Sequence, residues 1–186
     1  MIEDNREPKP ERFDRIVIGI DPAGSHKKHS DETGLVAAGV WDNEAYVLDD
    51  RSGKYSPSGW ANKAKDMHEK WSADAYVVER NFGGDMVEST MRNVGIEGRV
   101  LETVSSRGKE LRAEPIVGLY EQGRVHHSAA ERVLDDLESQ MTEWVPGDRT
   151  SVSPDRVDAL VFCITELVKN RKPASVASPA KLKLAS

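Results

Sequence analysis

Three acidic residues stand where a predicted strand ends or a predicted helix begins. Asp21 ends the apolar run RIVIGID (15–21), Glu79 ends AYVVE (75–79), and Asp158 precedes the apolar segment ALVF (159–162). A carboxylate in apolar surroundings is costly to desolvate unless a positive charge pairs with it, and carboxylates brought together repel one another. The pattern therefore predicts that the three side chains meet around one or two divalent metal ions.

The residue types indicate which ions these are and which chemistry they serve. Carboxylate oxygens suit Mg²⁺ or Mn²⁺, and the sequence lacks the His/Cys cluster that zinc prefers. Two such ions, held about 3.5–4 Å apart, stabilise both the attacking and the leaving oxygen of a phosphodiester. We expect Asp21 to bridge the two ions, with Glu79 on one of them and Asp158 on the other.

A fourth carboxylate, Asp155, precedes Asp158 by three residues and therefore shares its helix face. Three interpretations of Asp155 stay open: an outer metal ligand, a residue that positions water, or an acid favoured in a first helical turn by the helix dipole. The other acids have structural alternatives too, because Asp21 fits a turn and Glu79 fits an ion pair with Arg80. Their joint occurrence in this order of elements favours the metal site.

Candidate contacts to DNA lie close to these acids in the sequence. They are Arg80, Asn81, Arg107, Lys109 and Arg112. Gly83 and Gly84, just after Asn81, would let a DNA backbone approach closely, although a helix-start turn explains them equally. The basic residues between 107 and 112 fit phosphate contacts and a solvated helix face equally well.

Composition narrows the class of protein. The 186 residues are 38% hydrophobic and carry a net charge of −6, which predicts one domain that does not bind nucleic acid with its whole surface. A local basic patch remains compatible and predicts weak, salt-sensitive DNA binding. Neither a long apolar run nor a signal-peptide core is visible, so we expect a cytoplasmic protein without a membrane partner. The lone Cys163 is predicted to be a buried structural thiol.

Hydrophobic periodicity and turn signals divide the chain into elements. The predicted strands are 15–21, 34–41, 45–48, 75–79 and 99–104, with a short extended piece at 124–126. The predicted helices begin near residues 56, 84, 109, 130 and 154. We expect a polar lead-in at 1–13, one domain at 14–170, and a flexible or partner-binding tail at 171–186.

The order β-β-β-α-β-α-β-α-α-α resembles an RNase H-like α/β fold. That fold has a mixed five-stranded sheet, three antiparallel strands followed by two parallel ones, flanked by helices. Its first and fourth strands are neighbours, which would place Asp21 beside Glu79. Its last helix packs across the sheet and would bring Asp158 to the same place. This placement is what the resemblance implies, since spacing alone does not show it.

Four motifs resemble one protein family when they are taken together. They are IGIDPAG (18–24) with SDETGLV (30–36), VERNFGGDMV (78–87), KELRAEP (109–115) with LYEQGRV (119–125), and SPDRVDAL (153–160). The set, spread over residues 15–168, resembles the nuclease domain of the terminase large subunit of tailed bacteriophages.

The resemblance implies a metal-dependent endodeoxyribonuclease that cuts concatemeric viral DNA during genome packaging in the host cytoplasm. Asp21, Glu79 and Asp158 would take the catalytic, metal-binding positions, with Asp155 as a fourth. The implied partners are double-stranded DNA, a packaging ATPase domain or subunit, the small terminase and the portal. The sequence has no G-x-x-x-x-G-K-[ST] loop, so we expect the ATPase on another segment or chain.

Three alternatives remain open from the residues. Another RNase H-like nuclease, such as a Holliday-junction resolvase, would use the same carboxylates on branched DNA. Half of an actin-like or sugar-kinase-like ATPase also opens with a strand ending in Asp, but Pro22-Ala23 departs from its phosphate-contacting pattern. A catalytically inactive module that binds DNA or a capsid portal is the third.

Overall fold

The computed structural model describes residues 2–22, 32–79, 84–103, 109–128, 132–145 and 153–169. Its strands are β1 (Arg6–Glu7), β2 (Arg15–Asp21), β3 (Gly34–Trp41), β4 (Glu44–Asp50), β5 (Ala75–Glu79), β6 (Val100–Thr103) and β7 (Val125–Ser128). Its α-helices are α1 (Pro57–Trp71), α2 (Gly84–Asn93), α3 (Lys109–Glu121), α4 (Asp135–Glu143) and α5 (Asp155–Lys169). Short 3-10 turns occur at Glu3–Asn5 and Arg132–Leu134.

All seven strands form one mixed sheet in the order β1-β7-β4-β3-β2-β5-β6. Strands β2, β3 and β4 pair antiparallel, whereas β5 and β6 continue in parallel beyond β2. The predicted RNase H-like α/β architecture is confirmed. The central five strands are those that the sequence indicates, and β7 and β1 extend the sheet beyond β4 by parallel pairing.

Two additional strands, β1 and β7, make the sheet larger than the predicted five strands. Strand β1 has two polar residues and lies within the segment predicted as a lead-in. Strand β7, with the sequence VHHS, is buried although three of its four residues are polar. Strand β7 overlaps the extended piece predicted at 124–126, whereas β1 has no alternating or continuous apolar pattern by which a strand is recognised.

Residue types in the local sequence account for the turn between β3 and β4 and for the start of α1. Asp42 and Asn43 join β3 to β4 with φ values of 47° and 67°, the left-handed conformation of a tight hairpin turn. Ser56 caps α1, because its side chain accepts a hydrogen bond from the Gly59 amide at 3.2 Å, and Pro57 occupies the first helical position.

Each face of the sheet carries its own hydrophobic core. Alternate residues of β2 point to opposite faces: Val17 joins the core under α3, α4 and α5, and Ile18 joins the core under α1 and α2. Both residues are fully buried. None of the helices in the described ranges is long and apolar enough to cross a membrane.

Two glycines bring α5 against the sheet at close range. A Cβ atom on Gly19 would lie 2.1 Å from the carbonyl oxygen of Ala159, and one on Gly34 would lie 2.1 Å from that of Asp155. Any larger residue would force the helix away. Since Gly34 pairs with Asp21 in the sheet, this close packing positions the first turn of α5 over the end of β2.

Candidate metal centre

Asp21 and Glu79 lie at the adjacent ends of two parallel strands. The register pairs Ile20 with Val78, so the next residue of each strand stands at the same level. Val17 and Val77 both belong to the core under α5, and side chains alternate along a strand. Asp21 and Glu79 therefore also lie on the α5 side, as the fold resemblance implies.

The first turn of α5 contributes two more carboxylates to the same edge. Asp155 and Asp158 are buried, at 6% and 4% exposure. One carboxylate oxygen from each of Asp21, Asp155 and Asp158 can be chosen so that all three lie within 4.8 Å of one another. Three acids from a strand end and one helical turn thus converge on a space the size of a metal coordination sphere.

Hydrogen bonds to a side chain of another helix, α4, fix the orientation of that turn. The side-chain oxygen of Gln140 in α4 accepts from the amides of Arg156 at 3.0 Å and Val157 at 3.2 Å. It satisfies amides at the helix start that have no partner within the helix. The Ser153 hydroxyl donates to Asp155 Oδ1 at 2.5 Å, which holds that side chain in place.

Arg156 anchors the opposite side of the same turn. Its guanidinium lies 2.6 Å from Asp50 and 3.1 Å from Glu32. Arg156, which follows Asp155 directly, thus ties the first turn of α5 to β4 and to the segment before β3.

Arg112 of α3 lies between Glu79 and Asp158. Its Nη1 atom is 3.8 Å from Glu79 Oε1, and its Nη2 atom is 3.6 Å from Asp158 Oδ1. The guanidinium also lies over the Phe162 ring, 5.6 Å from its centroid. Glu79 is thus linked to the acidic site through a cation.

The structure brings together a different set of acids from the three that the sequence predicts. Asp155, for which three interpretations were open, belongs to the group within 4.8 Å, whereas Glu79 is outside the group identified among the described residues. Arg112 is at the site, and Lys109 begins α3. Arg80, Asn81 and Arg107 lie outside the described residues.

Most of the sequence matches a known protein family. Residues 18–167 match the family described as the terminase RNaseH-like domain. The chain belongs to this family. The match spans β2 to α5 and includes all four acids of the site. A comparison with curated proteins gave no match.

Solved structures share the fold of this terminase RNaseH-like domain. The human cytomegalovirus terminase nuclease domain, Mn soaked and inhibitor bound, has a TM-score of 0.64 at 15% identity, over 89% of this chain and 91% of that one. The large terminase nuclease from thermophilic phage G20c has a TM-score of 0.60 at 14% identity, over 87% and 86%. Other structures of the G20c nuclease contain bound cobalt or zinc.

A longer protein contains the same fold. The large terminase from a second thermophilic bacteriophage, in complex with ADP, has a TM-score of 0.65 at 10% identity. The alignment covers 90% of this chain but 44% of that protein. The present chain therefore spans less than half the length of that large terminase.

The donor set of this terminase RNaseH-like domain fits a hard divalent cation. The three converging side chains offer only carboxylate oxygens, which Mg²⁺, Mn²⁺ and Ca²⁺ accept. Two of them are buried, and buried carboxylates need a compensating positive charge. Cys163 is buried among apolar residues, its thiol donates to the Val36 carbonyl at 3.2 Å, and burial raises the pKa of that thiol to about 12. This confirms its prediction as a structural residue.

Three supporting residues carry no signal in the sequence. Gln140 is one polar residue among many on α4, and its role depends on where α5 begins. Gly34 would be noticed only if the helix above it were known. Arg156 alternates with acids in the motif SPDRVDAL, and helical geometry alone puts it on a different face from Asp155 and Asp158.

Proposed function

We propose that this chain is a metal-dependent endodeoxyribonuclease that cleaves concatemeric viral DNA during genome packaging. One observation carries the proposal: the oxygens of Asp21, Asp155 and Asp158 converge within 4.8 Å in a member of the terminase RNaseH-like family. Support comes from structures with the same fold, which are named as terminase nucleases and include manganese-soaked and cobalt-bound forms.

We assign two cation positions to the residues of the site. Asp21, Asp155 and Asp158 would hold one Mg²⁺ or Mn²⁺ ion, and Glu79 with Asp158 would hold a second. Bound there, such ions supply an activated water and neutralise the charge that develops on the leaving oxygen of a phosphodiester.

The protein's own contribution is positioning. Asp21 ends a central strand whose interior is fully buried, so its carboxylate has a fixed origin. Asp155 and Asp158 are held by a turn that Gln140 and Arg156 anchor from two sides. The three carboxylates of such a site are already in position before DNA binds, and positioning is the main requirement for phosphodiester hydrolysis by electrostatic stabilisation.

The partners follow from the family and are part of the proposal. Double-stranded DNA is the substrate, and the packaging ATPase, as a domain or subunit, delivers it in the host cytoplasm. The small terminase and the portal complete the assembly. A net charge of −6 makes binding of free DNA weak and salt-sensitive, so delivery by a partner supplies local concentration.

Nicking of supercoiled plasmid DNA in Mn²⁺ or Mg²⁺ tests the proposal. Asp21→Asn should lower the cleavage rate by about 100-fold or more, because loss of a ligand exceeds the 10- to 100-fold effects of outer residues. The matched control is Asp66→Asn, which removes an exposed carboxylate of α1 on the other face of the sheet and should cleave at the wild-type rate. Full activity of Asp21→Asn would refute the assignment.

Substrate choice separates this function from the other RNase H-like nucleases. The proposed enzyme cleaves linear and supercoiled duplexes with little sequence preference, because no base-reading motif is visible in the sequence. Strong preference for a four-way junction would instead identify a resolvase. DNA binding without any metal-dependent cleavage would identify an inactive docking module.

A further inference from the structure

The guanidinium of Arg112 lies where a second cation of the site would be needed. It is 3.8 Å from Glu79 and 3.6 Å from Asp158, the two carboxylates that we assign to the second metal position. Arginine stays protonated throughout the accessible pH range. The site therefore contains a permanent positive charge between these two acids.

The contacts of Arg112 to both acids are electrostatic rather than tight hydrogen bonds. Distances of 3.6 and 3.8 Å exceed the 2.7–2.9 Å that is usual for a charge-assisted N–H···O bond. The side chain is 17% exposed, so water screens the attraction only in part. These two contacts are therefore long ion pairs, which a second cation beside Glu79 and Asp158 could replace.

Space for the side chain to withdraw lies next to it. A cavity of about 570 Å³ opens between α3, α5 and β6, lined by Arg112 together with Thr103, Pro115, Phe162 and Thr165. Its walls are mainly apolar, and the Phe162 ring already lies under the guanidinium. An arginine can move over such a ring while keeping part of its cation–π attraction.

We propose that Arg112 is a resident counter-cation that competes with the second divalent ion and leaves its position when DNA binds. The inference rests on the proposed function and specifies how the same site is regulated. The group formed by Asp21, Asp155 and Asp158 takes the first ion without displacing Arg112. A DNA phosphate offers the displaced guanidinium a new anionic partner, so DNA and the second ion bind cooperatively.

This arrangement would keep the nuclease inactive in the absence of DNA. With Arg112 between Glu79 and Asp158, only the first cation position is available. Two-ion catalysis then requires the substrate itself, since the substrate moves the arginine.

Calorimetric titration of the wild-type chain with Mn²⁺ alone tests the competition without measuring activity. We expect one tight and one weak Mn²⁺ ion. Arg112→Gln should raise the second affinity by about tenfold or more and the first affinity by less, because the guanidinium lies within 4 Å of both carboxylates of the second position and of only one carboxylate of the first. Arg112→Lys, which keeps the charge, should retain the weak second ion.

Two further variants keep the experiment decisive. Arg92→Gln removes an arginine of α2 that pairs with Glu88 at 2.7 Å on the surface, and it should leave both Mn²⁺ affinities unchanged. Arg112→Met keeps the aliphatic stem beside Phe162 and replaces Arg112→Gln if that variant fails to fold. An unchanged or lower second affinity in a folded, neutral variant would overturn the inference.

Coupling to DNA gives the second measurement. A cleavage-resistant phosphorothioate duplex should tighten the second Mn²⁺ ion about tenfold in the wild type and not at all in Arg112→Gln. Equal tightening in both proteins would exclude Arg112 as the element displaced by DNA. Failure of the proposed function gives a different result. In that case the wild type would bind no Mn²⁺, or it would bind Mn²⁺ equally well with Asp21→Asn.

Discussion

The buried Asp49 and the three acids that converge at the end of β2 have different surroundings. Asp49 of β4 has no exposed surface and accepts hydrogen bonds from Arg51, Lys70 and the Trp71 indole, each at 3.0 Å. At the end of β2, by contrast, three carboxylates converge on one another. Three side-chain donors surround Asp49, whereas each acid at the end of β2 also has two other acids beside it.

The comparison shows that burial of an acid does not by itself indicate function. Burial opposes the ionisation of Asp49, but hydrogen bonds from Arg51, Lys70 and Trp71 outweigh it and hold the pKa of Asp49 below its usual value of 3.8. Such an acid stabilises the fold as it stands. An acid whose nearest partners include other acids lowers stability until a cation arrives, so its presence indicates a ligand.

The largest expected difference between Asp49 and the acids at the end of β2 is in how the protein responds to metal when each acid is replaced. Asp158→Asn should reduce plasmid nicking by about 100-fold or more, and it should abolish the Mn²⁺-dependent rise in Tm that selective binding to the folded state produces. Differential scanning fluorimetry with and without Mn²⁺ measures the second effect. Asp49→Asn should keep the Mn²⁺ response, and loss of that response in both variants would remove the distinction between the groups.

The close packing of α5 offers the next test, because it affects only the converging group. Gly34→Ala places a methyl group against the Asp155 carbonyl and should cost about 1–3 kcal/mol of unfolding free energy together with most of the nicking activity. Gly118→Ala in α3, where no atom lies within 4 Å, is the matched control and should be neutral or stabilising. Wild-type activity in Gly34→Ala would show that α5 tolerates displacement.

Asp49, whose partners are side chains of the protein itself, should affect the stability of the fold and the pH dependence of that stability. Asp49→Asn should lose about 2 kcal/mol at neutral pH while the folded protein stays active. The pKa of Asp49 is lowered on folding, so its contribution is full above pH 3.8 and disappears as the pH falls through the folded value. Urea titrations from pH 7 to pH 3 should show a smaller acid-induced loss in the variant than in Asp66→Asn.

Asp155→Asn should have the smallest effect on activity, about tenfold, because Asp21 and Asp158 remain. Single-turnover nicking rates at saturating Mn²⁺ measure it. A wild-type rate would contradict the assignment of Asp155 to the first ion and limit it to stabilising the start of α5, whereas a loss as large as that of Asp158→Asn would make the two acids equally important for holding the ion.

Much of this fold could be predicted from the sequence, because long apolar segments determine it. Strands β2 and β5 are continuous apolar runs, and the acids at their ends are visible as interruptions of the pattern. The RNase H-like fold places Asp21 and Glu79 at adjacent strand ends and Asp158 at the start of the last helix, and the structure has them there. Strand β1 could not be predicted in this way, and only a short extended piece at 124–126 is predicted in the region of β7, since pairing with a neighbour and not composition makes both of them strands of the sheet.

The details of the site escaped prediction for a different reason. Which face of α5 meets β2 depends on the close approach at Gly19 and Gly34, so the convergence of Asp155 could not be derived from helix periodicity alone. The position of Arg112 between Glu79 and Asp158 depends on how α3 packs on α5. Contacts between side chains that are far apart in sequence leave no local pattern.

The amides at the start of α5 have a further consequence, because Gln140 of a different helix satisfies them. The geometry of Asp155 and Asp158 therefore depends on α4 staying in place, although α4 contributes no ligand. A groove of about 760 Å³ runs between these helices and is lined by Met141, Trp144, Val157 and Leu160. A change in the packing of this groove would therefore act on Asp155 and Asp158 through Gln140, although the groove itself holds neither acid.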